Sequence, residues 1–176
     1  VIGGGTMGGG IGQLIAQKGI PVVVKEIDSD RAEACRARIF SQLDKISGNP
    51  QLRSEAEVAR TCFLTTSSYG DLRDADLVIE AVFEDINVKK DVFRELNQLF
   101  SDDVIFTTNS SSLSIDEIAS VTNRPERFIG THFFNPPVKA LLVEIIRGKA
   151  TSDETYNSAK RFVEVNLGNA SILVKG

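Results

Sequence analysis

Short apolar runs alternate along this chain with longer segments in which apolar side chains recur every three or four positions. The short runs contain many β-branched residues, which favour buried strands, whereas the longer periodic segments are typical of amphipathic helices. Strands and helices that alternate in this way predict a parallel sheet covered by helices. The pattern therefore predicts an α/β fold.

The limits of the predicted elements follow from this periodicity and from residues that begin or end helices. Helices are predicted at residues 6–18, 29–46, 87–100 and 152–166, with shorter helical segments at 54–60 and 114–119. Strands are predicted at residues 21–25, 63–64, 77–82, 104–107, 127–134, 141–147 and 170–174. Ser29 and Ser114 are expected to cap helices, because a serine oxygen can accept hydrogen bonds from the first free amides.

The inward faces of the two longest amphipathic segments can be predicted from helical spacing. In the segment 29–46 the residues expected to face the core are Ala34, Ile39, Leu43 and Ile46. In the segment 87–100 they are Val88, Val92, Phe93, Leu96 and Phe100.

Strands 127–134 and 141–147 flank a loop that contains two prolines, and they are predicted to pair antiparallel. With the loop centred near Val138, His132 lies opposite Glu144, so the two Cβ atoms are expected about 5 Å apart on one face. Apolar neighbours on both sides predict that Glu144 is poorly solvated and needs a partner. Two alternatives stay open at this point: His132 is a core histidine with ordinary hydrogen bonds, or Glu144 turns to solvent.

The composition narrows the classes of function. The 176 residues fit one compact domain, and a net charge of −4 without a basic stripe argues against nucleic acid as the main partner. The sequence contains neither a secretory signal nor an apolar run of the ~18–20 residues that a membrane span needs. Cys35 and Cys62 lack metal-ligand spacing, so we expect reduced thiols. An intracellular protein is expected, cytoplasmic if bacterial and mitochondrial or peroxisomal if eukaryotic.

The segment Gly3-Gly4-Gly5-Thr6-Met7-Gly8 fits the pattern G-x-G-x-x-G between a strand and a helix. In a dinucleotide site the first glycine permits the tight turn, and the second lets the backbone approach the pyrophosphate. The third glycine lets the helix pack closely on the strand. The first amides of the helix, including those of Thr6 and Met7, then face the phosphates.

An acidic residue, Glu26, follows at the end of the second strand, where a carboxylate can accept hydrogen bonds from the adenosine ribose. The carboxylate repels a 2′-phosphate, which favours NAD over NADP. The pattern thus predicts a Rossmann-type, doubly wound, mostly parallel sheet with an antiparallel strand pair near its C-terminal part. The alternative for Glu26 is a solvated acid at a strand end.

His132 is the one histidine of the chain, and its side chain suits proton transfer near neutral pH. Glu144 would orient the imidazole and stabilise its protonated form. The polar run from Asn109 to Ser112 follows a buried strand at its carboxyl end, where open α/β sheets bind ligands. These hydroxyls could bind a substrate oxygen or the nicotinamide amide, although such a run is also typical of a simple turn.

Four stretches together resemble the NAD-binding domain of 3-hydroxyacyl-CoA dehydrogenases. They are VIGGGTMGGG at 1–10, VIEAVFEDINVKKDVF at 78–93, NSSSLSI at 109–115 and THFFNPPVKALLVEII at 131–146. The resemblance covers essentially the whole chain with the motifs in the family's order. Segments 21–28 and 80–89 are more similar to the dehydrogenase module of multifunctional fatty-acid-oxidation enzymes than to the small monofunctional type.

The resemblance implies roles for individual residues. His132 corresponds to the catalytic base, Glu144 to its paired glutamate, and Ser111 to the serine that contacts the 3-oxygen of the substrate. The implied cofactor contacts are Gly3, Gly5, Thr6, Met7, Gly8, Glu26, Glu84, Lys89 and Asn109. No metal is implied.

The expected function is hydride transfer between the C3 hydroxyl of a 3-hydroxyacyl-CoA and NAD, which gives a 3-ketoacyl-CoA. Residues 1–176 are expected to be the NAD-binding domain of a longer protein, a homodimer or part of a multifunctional complex, in which a helical domain follows. Two alternatives remain: a dehydrogenase for a free hydroxy acid on the same scaffold, and a non-catalytic NAD-binding module.

Overall fold

The computed structural model describes residues 1–175, which form seven strands and six α-helices. Their bounds are α1 Thr6–Gln17, β1 Val22–Lys25, α2 Ser29–Ser47, α3 Arg53–Cys62, β2 Phe63–Thr66, β3 Leu77–Glu80, α4 Ile86–Leu99, β4 Ile105–Thr108, α5 Ile115–Ala119, β5 Phe128–Phe133, β6 Leu142–Arg147, α6 Asp153–Arg161 and β7 Ala170–Lys175. A π-helical segment, Phe162–Leu167, continues α6. The described residues group into two compact units, 1–72 with 135–139 and 73–134 with 140–175.

The first unit contains a parallel pair of strands covered by helices. β1 pairs with β2 from Val22 opposite Phe63 onwards, and Ile2 forms a bridge to Lys25. Helix α1 lies so close to these strands that a Cβ on Gly12 would stand 2.7 Å from Val24 and 2.9 Å from Phe63. Contacts this short leave no room for any other residue at position 12 without movement of the strands.

The second unit is built on a five-stranded sheet in the order β3-β4-β5-β6-β7. β3, β4 and β5 are parallel, β6 runs antiparallel to β5, and β7 is parallel to β6. Phe93 of α4 packs edge-on against Phe128 of β5, with ring centroids 4.6 Å apart. It packs in a tilted arrangement against Phe106 of β4, with ring centroids 5.6 Å apart. The predicted α/β fold with an antiparallel pair near the C-terminal part is confirmed.

Some local predictions are wrong. Helix α2 is capped by Asp28, not Ser29, since the Asp28 carboxylate accepts a hydrogen bond from the Arg31 amide. The buried face of α2 contains Ala32 and Cys35 in addition to Ile39 and Leu43, and the predicted Ala34 is exposed. By contrast, Ser114 caps α5 as predicted, through the Glu117 amide.

Helix α4 departs most clearly from its predicted inward face. Val88 is 42% exposed, whereas the charged Lys89 is completely buried beside Phe93 and Leu96. Positions 89, 93, 96 and 100 form one stripe at helical spacing, so Lys89 takes the position that apolar periodicity assigned to Val88. Burial of this ammonium group is possible because a carboxylate lies next to it, as described below.

Two further properties concern the described residues as a whole. None of the helices in residues 1–175 combines the length and the apolar character that a membrane crossing requires. Both cysteine thiols are free: Cys35 is buried and Cys62 is half-buried, in agreement with the predicted reduced state.

The aromatic cluster of the second unit yields a stability prediction. Phe93→Ala is expected to lower the free energy of unfolding by about 3–5 kcal/mol, because it removes a fully buried ring and leaves a cavity. Val88→Ala on the exposed side of the same helix is the matched control and should change it by less than about 0.5 kcal/mol. Urea unfolding followed by circular dichroism measures both, and equal effects would contradict the assigned face of α4.

Candidate active site

The antiparallel pair β5–β6 brings His132 and Glu144 together. The two residues are directly opposed in the sheet, as predicted, and Nδ1 of His132 lies 2.8 Å from Oε2 of Glu144. Their side chains are 21% and 32% exposed, respectively, so water reaches both groups only in part. Glu144 is therefore neither turned fully to solvent nor completely dry, and its carboxylate has the partner that the sequence required.

This contact sets the tautomer of the neutral imidazole. An ionised carboxylate can only accept a hydrogen bond, so Nδ1 carries the hydrogen and donates it to Glu144. The other ring nitrogen, Nε2, then has a free lone pair. A histidine in this tautomer can take a proton at Nε2, and the adjacent carboxylate stabilises the imidazolium that results.

The Asn109–Ser111 turn follows β4, the strand parallel to β5. Because His132 and this turn both follow the paired segments of two neighbouring parallel strands, they lie at the same carboxyl-end edge of the sheet. Oδ1 of Asn109 accepts a hydrogen bond from the Phe133 amide at 3.0 Å, directly after His132. The side chain of Ser111 is exposed at this edge.

Glu84 lies in the segment after β3, and its side chain is hydrogen-bonded to the Asn109–Ser111 turn. Its Oε1 accepts hydrogen bonds from the Ser110 hydroxyl at 2.5 Å and from the Ser111 amide at 3.1 Å. Partial burial acts to raise the pKa of Glu84. The Ser110 hydrogen bond and the positive charge of Lys89 outweigh that effect, so the pKa lies below its ordinary value. Glu84 is thus an ionised acceptor for the turn.

A buried ion pair between Glu80 and Lys89 lies beside this turn, and Glu80 was not among the residues predicted from the sequence. Nζ of Lys89 lies 2.8 Å and 3.0 Å from the two carboxylate oxygens of Glu80, and both side chains are completely buried. Burial raises the pKa of Glu80, an effect that Lys89 and the hydrogen bonds from Thr108 and Val82 oppose. A glutamate at the end of an otherwise apolar run, nine residues before a lysine, is the signal that could have revealed the pair.

In the first unit the glycine turn leads directly into α1. Gly3 has φ 92°, a left-handed conformation that favours glycine, and its amide bonds the Lys25 carbonyl. Gly5 is the N-cap residue of α1, and within residues 1–175 no side chain caps this helix. The first amides of the helix, those of Thr6, Met7 and Gly8, precede its first internal hydrogen bond and remain available to a ligand.

Two charged side chains fix the glycine turn from outside. Oε1 of Glu26 accepts the Gly4 amide at 2.8 Å, and its Oε2 accepts the Ile27 amide at 3.1 Å. Arg38 of α2 donates to the carbonyls of Gly4 and Gly5 at 2.5 Å and 3.0 Å. Nothing in the sequence pattern distinguishes Arg38 from the other arginines of α2, so this contact was not predicted.

The family model for the NAD binding domain of 3-hydroxyacyl-CoA dehydrogenase matches residues 1–176. The chain belongs to this family. The cofactor of the domain is NAD, and the predicted resemblance is confirmed.

Individual members of the 3-hydroxyacyl-CoA dehydrogenase family agree with the assignment. A 3-hydroxybutyryl-CoA dehydrogenase of Clostridioides difficile is 46% identical over 160 residues, 90% of this chain and 57% of that protein. A fatty acid oxidation complex subunit alpha of Idiomarina loihiensis is 39% identical over 175 residues, 99% of this chain and 24% of that protein. The solved (S)-3-hydroxybutyryl-CoA dehydrogenase of Ralstonia eutropha superposes with a TM-score of 0.94 at 37% identity, covering 99% of this chain and 62% of that one.

The glycine turn has the space and the donors that NAD requires. A Cβ placed on Gly5 would meet no described atom within 4 Å, so the backbone is open at the start of α1, where a pyrophosphate can approach. Each carboxylate oxygen of Glu26 accepts one amide and has a second lone pair for a ribose hydroxyl. The residues present therefore fit the cofactor of the 3-hydroxyacyl-CoA dehydrogenase family.

The open space at Gly5 gives a binding prediction. Gly5→Ala should change the free energy of unfolding by less than about 0.5 kcal/mol, since a φ of −63° suits alanine. Because the new methyl group occupies the space of the pyrophosphate, the Kd for NAD should rise on the order of tenfold or more. Calorimetric titration measures the Kd, with Gly48→Ala at the end of α2 as the control. An unchanged Kd in Gly5→Ala would contradict this placement of the cofactor.

Proposed function

We propose that the protein containing this chain is an NAD-dependent 3-hydroxyacyl-CoA dehydrogenase, which oxidises the C3 hydroxyl of its substrate to a ketone. The observation that carries the proposal is the 2.8 Å contact between Nδ1 of His132 and the Glu144 carboxylate. The family, and the names of relatives that act on 3-hydroxybutyryl-CoA, support the substrate class. The chain spans 57% of the first of those relatives, so the activity of the whole protein is inferred.

The proton-transfer step uses residues of the second unit. Nε2 of His132 accepts the proton of the C3 hydroxyl while the C3–O bond becomes a carbonyl. Glu144 stabilises the imidazolium through its hydrogen bond to Nδ1, and the Ser111 hydroxyl orients the substrate oxygen. NAD held at the glycine turn would supply the acceptor for the hydride that leaves C3, so the electron pair of the C3–H bond would leave with that hydride.

We propose that cofactor binding involves the glycine turn at Gly3, Gly5 and Gly8, with the amides of Thr6 and Met7 at the phosphates and Glu26 at the ribose. Two observations support these cofactor contacts. No side chain caps the start of α1, and the Glu26 carboxylate oxygens retain free lone pairs. Cofactor contacts for Glu84, Lys89 and Asn109 remain predictions from the resemblance.

The assembly and location of the whole protein are also proposals. Relatives such as the fatty acid oxidation complex subunit alpha extend well beyond the matched region, which supports a longer parent protein. That its further domain is helical remains a prediction from the resemblance. We propose a homodimer or a part of a multifunctional complex, located inside the cell, in the cytoplasm of a bacterium or in a mitochondrion or peroxisome of a eukaryote.

His132→Gln tests the catalytic assignment in the full-length protein. Glutamine keeps a polar side chain but cannot act as a base, so kcat should fall by roughly 10²–10⁴ while the Kd for NAD changes little. Glu144→Gln should also lower kcat, because it removes the charge that stabilises the imidazolium. Initial rates of NADH formation with 3-hydroxybutyryl-CoA measure kcat.

Glu117→Gln, which removes an exposed carboxylate on α5, is the control and should leave kcat unchanged. Turnover close to that of the wild type in His132→Gln would exclude His132 as the base. Oxidation of free 3-hydroxybutyrate as fast as its CoA ester would favour a hydroxy-acid dehydrogenase, and NAD binding without turnover of either compound would favour a non-catalytic module.

A further inference from the structure

An arginine of α2 bonds two consecutive carbonyls of the glycine turn before α1. Nη2 of Arg38 donates to the main-chain oxygens of Gly4 and Gly5 at 2.5 Å and 3.0 Å. The Gly5 carbonyl also accepts the Gly9 amide at 2.9 Å, so both of its lone pairs are used. One side chain from another helix therefore ties two successive peptide groups of the turn.

The path of the Arg38 side chain depends on the absence of a side chain at Gly9. A Cβ placed on Gly9 would stand 2.6 Å from Nη2 of Arg38, which is closer than a real Cβ comes to another heavy atom. The buried Sγ of Cys35 lies 3.8 Å from the same nitrogen. Gly9 lies outside the pattern G-x-G-x-x-G, which ends at Gly8, so the dinucleotide motif does not account for this glycine.

Holding these carbonyls also sets the direction of two amides. A trans peptide group is planar, with its oxygen and its amide hydrogen on opposite sides. Fixing the Gly4 carbonyl therefore fixes the Gly5 amide, and fixing the Gly5 carbonyl fixes the Thr6 amide. Thr6 is the first residue of α1, and its amide precedes the internal hydrogen bonds of the helix. Arg38 thus bonds the side of the turn opposite to these amides.

We infer that Arg38 is a positioning residue for the cofactor. Its guanidinium group holds the carbonyls of the glycine turn, so that the Gly5 and Thr6 amides point at the NAD pyrophosphate before the cofactor binds. Donors that are already oriented bind more tightly, because their freedom is not lost on binding. This role rests on the proposed placement of NAD at the glycine turn. Neither the glycine motif nor the family resemblance singled out Arg38.

The test in the full-length protein uses Arg38→Met, which keeps the aliphatic stem and removes every donor. The control is Arg36→Met, which removes the same charge from α2, where Arg36 contacts Glu33 and the Phe40 ring. Calorimetric titration of the cofactor-free protein with NAD should give a Kd about 5- to 20-fold higher in Arg38→Met. Arg36→Met should match the wild type. An unchanged Kd in Arg38→Met would overturn the proposal, even if Tm fell.

Gly9→Ala tests the same contact without altering the arginine. The new methyl group would displace Nη2 of Arg38, so the Kd for NAD should rise here as well. Because both substitutions remove one shared contact, the double variant Gly9→Ala/Arg38→Met should bind NAD about as well as Arg38→Met alone. Two effects that multiply in the double variant would contradict the packing of Arg38 against Gly9, on which the proposal stands.

Ionic strength separates the orientation of amides from a simple attraction between Arg38 and the pyrophosphate. The Debye length falls from about 10 Å at 0.1 M salt to about 3 Å at 1 M, so an attraction through solvent is screened whereas a bonded turn keeps its shape. The ratio of the Kd values of Arg38→Met and wild type should therefore change by less than about twofold over this range. A ratio that falls to one at 1 M salt would overturn the positioning role.

Two further comparisons separate this role from the proposed function. In Arg38→Met, kcat at saturating NAD should stay within about twofold of wild type, because Arg38 contacts none of the groups that transfer the proton. A lower kcat with an unchanged Kd would overturn the proposal. A raised Kd in Gly5→Ala with an unchanged Kd in Arg38→Met would refute the positioning role and leave the cofactor placement intact. An unchanged Kd in both variants would refute the placement as well.

Discussion

The main constraint on the second unit is the free-energy cost of removing the Lys89 ammonium group from water. An isolated buried charge is unfavourable by several kcal/mol, so Lys89 must be surrounded by acceptors in good geometry. The structure provides the two oxygens of Glu80 and the Asn109 carbonyl, which belong to the ends of two adjacent strands. Through these contacts the ammonium of α4 is hydrogen-bonded to the end of β3 and to the first residue of the turn after β4.

The two units present different kinds of chemistry. The glycine turn offers mainly backbone amides, which suit an anionic cofactor whose binding needs shape and partial positive charge. The sheet of the second unit offers side chains, an imidazole with a carboxylate and a nearby hydroxyl, which suit proton transfer. The amides of the glycine turn are free because they lie at the start of α1, whereas His132 and Glu144 lie within the paired segments of β5 and β6 and offer their side chains.

Much of this arrangement could be predicted from sequence because it depends on local periodicity. The opposition of His132 and Glu144 followed from two apolar strands around a proline loop, and the register of β5 and β6 confirms it. The glycine motif and Glu26 were recognisable because few residue types tolerate a tight turn or a ribose contact. The placement of Ser114 as a cap was likewise a local property.

What could not be predicted depends on partners distant in sequence. Val88 was assigned to the core because hydrophobicity scales rank it above lysine, and only the presence of Glu80 beneath α4 reverses that order. Arg38 contacts Gly4 from 34 residues away, and no periodicity reports such a contact. Asp28 and Ser29 are adjacent, and both are good capping residues. Which of them caps α2 depends on backbone geometry, which residue type alone does not reveal.

The alternation of β6 also constrains the register of this strand. Val143 and Ile145 are buried on one side of the strand, and Glu144 between them faces the opposite side with His132. A shift of the strand register by one residue would bury Glu144 in the apolar core and expose Val143 and Ile145. Correct burial of Val143 and Ile145 therefore also places Glu144 opposite His132.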